Sequence, residues 1–163
     1  MTDAPLLAAQ VLQAYTALPA NSIVIVDNGT NFTAPDNSTY ITIQPRDPQV
    51  VGVSVRTNMA TLKEKIVQTI NQVLTIEVVS RDASAQTNHF KALAAFSSAI
   101  AAEEAEKVGA RFYRPSRALN LSELEGVAPL RRFRFDATLS MTGESEAPQA
   151  IYTQFPIGGS QFE

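Results

Sequence analysis

The chain has no cysteine and a single histidine, and these two shortages exclude several kinds of site. Without cysteine there is no disulfide framework, thiolate zinc site, iron–sulfur cluster or thiol nucleophile. His89 has no second imidazole with which to complete the common transition-metal ligand sets. We therefore expect no metal and no cofactor, and we interpret His89 as an exposed or partly packed helix residue.

Long apolar runs are also missing. The longest are short runs such as residues 92–96 and 99–102, which fall far short of the ~20 residues that a helix needs to cross a bilayer. The first residues carry Asp3 and no basic region before the apolar segment that follows, so no secretory signal peptide is expected. The sequence predicts no membrane partner.

Motifs for phosphate binding and hydrolysis are absent too. Gly158 and Gly159 stand near the end of the chain without a strand-to-helix context, so they do not form a phosphate loop. No serine lies in a Gly-x-Ser-x-Gly elbow. We expect no catalytic residues, and the chain is predicted not to be an enzyme.

Length and charge set the remaining bounds. The 163 residues match one domain, and the net charge of −3 argues against a dedicated nucleic-acid binder that works through a strong positive field.

Hydrophobic periodicity predicts helices and strands in alternation. Helical spacing marks residues 4–18 and 84–108, and short or alternating apolar runs mark strands at 23–26, 40–44 and 66–80. Val51, Val53 and Val55 alternate in a further strand, which we expect to form a hairpin-like pair with 40–44. Residues 111–128 are expected to be irregular, with one strand fragment at Arg111–Arg114.

The clearest pattern is a period of two over residues 132–141. Phe133, Phe135, Ala137, Leu139 and Met141 fall on one face, and polar or charged residues fall on the other. This element order predicts an α+β fold: a mixed, mostly antiparallel sheet packed by two main helices, with an extended C-terminal arm. We assign residues 1–142 to the domain and residues 143–163 to the arm.

Basic residues are concentrated in one part of the chain. Residues 111–134 carry six arginines against two glutamates, a local balance of +4. The guanidinium fork suits carboxylates and phosphates equally, so this segment predicts either ordinary surface charge or a surface for phosphate or an acidic protein partner. Arg132 and Arg134 in particular could pair with acidic residues of a neighbouring subunit. Reversing their charge should then weaken assembly more than folding.

The C-terminal arm carries apolar residues without the periodicity of a core. Such side chains are costly when exposed, so we expect Tyr152, Phe155 and Phe162 to dock on this chain's own sheet or on an adjacent subunit. The candidate interface residues are therefore Arg111, Tyr113, Arg114, Arg132, Arg134, Tyr152, Phe155 and Phe162.

The order of these segments resembles a known family. Its marks are Tyr40–Pro45 after a loop, a long strand ending at Leu74–Val78, a helix from Ser84, the run Arg111–Pro115, and the closing strand Arg131–Leu139. Over about residues 5–142 this pattern is similar to the neck or tail terminator proteins of tailed bacteriophages.

The resemblance implies a structural protein of the virion. Its members are small α+β subunits that form a ring, commonly of six copies, which caps the tail tube and joins it to the neck. The implied partners are further copies of the chain, the tail tube protein, neck or head-completion proteins and, in some tails, the sheath. Genomic DNA would pass through the lumen without specific binding, and assembly would take place in the cytoplasm of the bacterial host.

Three alternatives remain open from the sequence. Another neck or tail-completion connector would also form rings, but with different neighbours. An enzyme or small-ligand module should be monomeric or dimeric and needs a polar pocket. A nucleic-acid module using residues 111–134 should lose affinity steeply as salt rises.

Overall fold

The computed structural model describes residues 3–26, 33–34, 39–58, 60–61, 63–125 and 128–148, without the side chains of 123–125, 128–129 and 148. A 3-10 turn, Ala20–Ser22, follows the first helix. The other elements are, in chain order, α1 (Ala4–Thr16), β1 (Ile23–Ile25), β2 (Thr39–Pro45), β3 (Gln49–Asn58), β4 (Lys63–Ser80), α2 (Ser84–Ala95), α3 (Ala99–Lys107), β5 (Ala110–Phe112), β6 (Leu119–Asn120), β7 (Glu123–Glu125) and β8 (Ala128–Pro148).

The strands form a mixed, mostly antiparallel sheet, so the predicted α+β class is confirmed. The order across the sheet is β1-β2-β4-β8-β5, and only β1 and β2 run parallel. The short β6 also pairs with β8. Strand β7 forms a separate small ladder with residues 128–130 of β8. The centre is the long antiparallel pair β4–β8, which continues in register from Ser80↔Arg131 to Lys63↔Pro148.

The helices cover one face of this sheet and form a single core with it. Helix α1 contributes Leu7, Val11 and Leu12, which are buried against the sheet and the other two helices. The strands contribute alternate residues, since side chains two apart share a face. These are Ile41, Ile43, Leu74, Ile76, Val78, Phe135, Ala137, Leu139 and Met141.

The single helix predicted over residues 84–108 is two helices, α2 and α3, so three α-helices rather than two pack on the sheet. Helix α2 ends at Ala95, and Ser98 is the N-cap residue of α3. Its hydroxyl donates to the Ala95 carbonyl at 2.6 Å and accepts from the Ala101 amide at 3.2 Å. A serine that caps the N-terminus in this way allows the chain to turn. The turn places Phe96 against Phe112 and Phe135, with ring centroids 5.1 and 6.1 Å apart.

The predicted hairpin between the second and third strands is wrong. Both β2 and β3 are antiparallel to β4, and they occupy the same edge of that strand one after the other. The two strands therefore run in the same direction and cannot pair as a hairpin. Between them the Arg46 amide donates to the Val73 carbonyl at 2.9 Å and keeps the chain on the edge of β4.

Past Val73 of β4, the sheet continues as a three-stranded extension, which we call the ribbon. It consists of β3 with residues 63–71 of β4 and 140–148 of β8. The core reaches Leu74 on β4 and Met141 on β8 and includes no residue of β3. Strand β8 passes through residues 142 and 143 without interruption, so the first part of the predicted arm is strand, paired with β4. The remainder of the arm, 149–163, lies outside the described residues.

Candidate assembly surfaces

The face of the sheet opposite the helices carries a cluster of charged side chains around Glu77. Arg132 donates to the Oε2 atom of Glu77 from Nε at 2.9 Å and from Nη2 at 2.7 Å. Arg134 donates to the Oε1 atom from Nε at 2.6 Å, and its Nη2 atom also contacts this oxygen. One carboxylate thus holds two guanidinium groups.

The register of β2, β4 and β8 places this cluster at the middle of the open face. Glu77 lies directly opposite Arg134 on β8 and opposite Thr42 on β2, and Arg132 is the next residue along the same face of β8. Glu77 is only 8% exposed although no described helix covers it. A carboxylate buried to this degree requires paired charge and hydrogen bonds, and the two arginines supply both.

A second polar network lies beside the first on the same face. The Thr75 hydroxyl accepts from Nε of Arg46 at 3.1 Å and donates to Oδ1 of Asp136 at 2.9 Å. Arg46 also forms an ion pair with Asp136 at 3.5 Å. These contacts join the end of β2 to β4 and β8, so the open face is cross-linked by polar side chains where the other face is packed by helices.

The remaining described candidates are Arg111, Tyr113 and Arg114. They lie in residues 110–116, which run alongside β8 on the side away from β4. Arg111 is opposite Ser140, and the amide of Tyr113 donates to the Thr138 carbonyl at 2.9 Å. Further along, the Ser116 amide donates to the Asp136 carbonyl at 2.8 Å. All three candidate side chains are exposed. The structure thus separates them from the Arg132–Arg134 pair, although the six arginines form one block in the sequence.

A different exposed surface lies on the ribbon. Val50, Val53 and Val55 are opposite Ile70, Gln68 and Ile66, on the side of the sheet that the helices cover elsewhere. A shift in register between Val50 and Gly52 brings Val50 onto this side. Val53 is 59% exposed and Val55 is 55% exposed. Among the described residues, β4 is the only strand that pairs with β3, so the outer edge of β3 is free.

His89 is buried, not exposed. Its ring stacks on Phe133 with centroids 4.1 Å apart and planes 10° apart, and it also contacts Phe90. Burial lowers the pKa of His89 below its ordinary value of 6.5, against a smaller opposing effect of the Ala85 and Gln86 backbone. Its geometry is that of a packed core residue.

Sequence reasoning did not identify Glu77 as the partner of the two arginines, nor the connection of Arg46 with Asp136. The available signal for Glu77 was a lone acidic residue inside the apolar run Leu74–Val79. The alternation of β8 correctly placed both arginines on the face away from the core. The other three candidates, Tyr152, Phe155 and Phe162, lie outside the described residues.

No protein-family model matches the chain, and no curated protein matches it significantly. Within the described ranges, no helix is long and apolar enough to cross a membrane. The same residues contain no group of three or more histidine, aspartate or glutamate side chains that could hold a metal ion.

Proposed function

We propose that the chain is a structural subunit of a tailed-bacteriophage virion: a tail terminator that forms a ring, caps the tail tube and joins it to the neck. The single observation that carries the proposal is the ribbon, which exposes valines beside a strand edge that no other described strand pairs with. A protein that acts alone normally protects such an edge, whereas a subunit of an assembly uses it to bind the next component.

The elements on which the resemblance rests support the same proposal. A strand at Thr39–Pro45, a long central strand, a helix from Ser84 and a closing strand through residues 131–139 follow in the order that the resemblance requires. Ring formation needs heterologous contacts, in which one surface of a subunit binds a different surface of the next. The ribbon and the exposed segment around Tyr113 are two different exposed surfaces of the subunit, and each is available to a neighbour.

The structure changes what we expect of Arg132 and Arg134. Both guanidinium groups already pair with Glu77 of the same subunit, so their charge is partly compensated without a neighbour. Reversing the charge of Arg134 would place a second carboxylate beside Glu77, so we now expect the loss to fall mainly on folding. Arg111 and Arg114 remain the better candidates for contacts with an acidic partner.

In this proposal the partners are other copies of the chain, the tail tube protein, neck or head-completion proteins and, in a contractile tail, the sheath. The ring would assemble in the bacterial cytoplasm and remain in the virion at the junction of tail and neck. DNA would pass through its lumen without specific binding, which the net charge of −3 favours because a strongly positive lumen would retain the DNA.

The test is the mass of the purified chain by light scattering, alone and after mixing with tail tubes of the cognate phage, followed by negative-stain imaging. Rings at one end of each tube support the proposal. A monomer or dimer that ignores tubes overturns it in favour of a ligand-binding or enzymatic module. Rings that bind only completed heads would instead identify a connector. DNA affinity that falls steeply between about 50 and 200 mM salt would favour a nucleic-acid module.

A further inference from the structure

The valine surface of the ribbon, formed by Val50, Val53 and Val55, requires a cover. This surface lies on the same face of the sheet that the helices bury elsewhere. None of its three valines belongs to the core. Arg56 lies on the opposite face of β3 from these valines, so its side chain does not cover them. A β-branched row beside a free strand edge favours the addition of another strand.

The C-terminal segment 149–163 has the composition of such a strand. Ile151, Phe155 and Ile157 fall on one parity, together with Thr153, and would present a continuous apolar face if extended. Pro156 falls on the other parity, and its missing amide proton faces away from the edge of β3 in one of the two possible strand directions, so the segment is expected to add in that direction. Fifteen residues span up to ~50 Å, whereas the ten residues of β3 need ~33 Å.

The point at which the described chain ends indicates whose edge the segment reaches. Pro148 lies opposite Lys63, and Lys63 lies opposite Asn58, so the chain leaves at the tip of the ribbon. The free edge of its own β3 is two strand spacings away, ~10 Å, and faces back along the ribbon. Reaching it requires a reversal directly after Pro148. Tight turns favour Gly, Pro, Asn, Asp and Ser. Of these residue types, 149–157 contain only Pro156.

We propose that the segment 149–163 of one subunit adds as a strand to the free edge of β3 in the next subunit, where its apolar parity covers Val50, Val53 and Val55. The contact joins two different surfaces, so it repeats from subunit to subunit and can close a ring. The inference rests on the proposed function, because it needs copies that associate head to tail. It adds to that function the pair of surfaces that meet.

The absence of cysteine provides a direct test. Two singly substituted full-length chains, Val53→Cys and a tagged Phe155→Cys, are mixed and oxidised, and disulfide-linked heterodimers are counted. The matched control replaces Val53→Cys with Ser54→Cys, because Ser54 lies on the opposite face of the same strand. We expect at least tenfold more heterodimer with position 53 than with position 54. Equal yields, or none with either chain, would overturn the proposal.

A chain that carries both Val53→Cys and Phe155→Cys separates neighbouring subunits from the same subunit. Disulfide-linked oligomers are expected, whereas an internally closed monomer would show that the segment binds its own β3 and would overturn the inference. Negative-stain imaging of uncross-linked wild-type protein on tail tubes keeps the two proposals distinct. Capped tubes without the 53–155 cross-link would refute this contact alone, and the cross-link without capped tubes would refute tail termination alone.

Sedimentation provides a measure that does not need a disulfide. Val53→Asp with Val55→Asp should weaken self-association at least tenfold. Ser54→Asp with Asn58→Asp, which adds the same charge to the opposite face of β3, should change it less than twofold. Removing residues 149–163 should weaken association as much as the valine pair does, and combining the two changes should add nothing further. Additive losses, or an unaffected truncation, would contradict the contact; the urea midpoint of each variant confirms folding.

Discussion

The two ends of strand β4 differ in what surrounds them. Residues 74–80 are all buried between β2 and β8, and alternate residues lie under the helices, whereas residues 63–69 are exposed or half-buried although they have two strand neighbours as well. Hydrogen bonding within the sheet is thus common to both ends, and burial by a second layer is not. The comparison teaches that the part of the sheet under the helices, which we call the body, contains the core, while the ribbon lies outside it and, in our proposal, supplies contacts with other subunits.

The largest effect should come from a cavity in the body. Ile76→Ala removes a fully buried side chain beneath the helices and should lower the free energy of unfolding by about 2–5 kcal/mol. Val53→Ala, on the exposed ribbon, should change it by no more than about 0.5 kcal/mol. Urea denaturation of both variants measures the difference. Similar losses would show that the ribbon is part of the cooperative core.

The next effect concerns the polar face of the body. Glu77→Gln leaves Arg132 and Arg134 close together without their shared carboxylate and should cost about 3 kcal/mol of unfolding free energy. The control is Glu144→Gln, which removes an exposed ion pair with Lys65 on the ribbon and should cost about 0–1 kcal/mol. If Glu77→Gln and Glu144→Gln lower the free energy of unfolding equally in urea denaturation, Glu77 does not organise this face.

Acid should destabilise the body through His89. Because the pKa of His89 is lowered in the folded state, folding favours the neutral ring, and this contribution is complete above the unfolded value near 6.5. It is lost as pH falls from about 6.5 through the folded pKa, with a slope of at most about 1.4 kcal/mol per pH unit. His89→Phe keeps the ring stacked on Phe133 and removes the proton site. Thermal melts of both proteins from pH 7.5 to 5 should diverge below about 6.5; parallel curves would contradict the assignment.

A smaller effect tests how firmly the helical layer is fixed over the sheet. Ser98→Ala removes the hydroxyl that accepts from the Ala101 amide and should cost about 1 kcal/mol. Ser97→Ala is the neighbouring control and should change stability by less than about 0.5 kcal/mol, since α3 begins after Ser98 rather than Ser97. Circular dichroism during urea denaturation measures both. An equal cost would show that the hydrogen bonds of the Ser98 hydroxyl do not account for the loss.

Much of the body could be predicted because local periodicity and burial agree there. The stripe of Leu7, Val11 and Leu12 and the alternation of β8 each identify a buried face directly, and both are in the core. The helix break at Ser98 was missed, because alanine-rich sequence continues the helical pattern on both sides and hides a single capping residue. The expected hairpin was missed because alternation shows that residues are extended but does not reveal which strand they pair with.

The candidate surfaces divide in the same way. That Arg132 and Arg134 point away from the core followed from the sequence alone, since side chains alternate along a strand whatever its neighbours are. Strand order and register decided that Glu77 joins arginines 55 and 57 positions away. They also decided that Arg111 lies beside Ser140 rather than beside these arginines, and that no other described strand pairs with β3. Periodicity is a local property of the backbone, whereas pairing depends on which distant strands bury the most surface together, so only the tertiary structure could determine it.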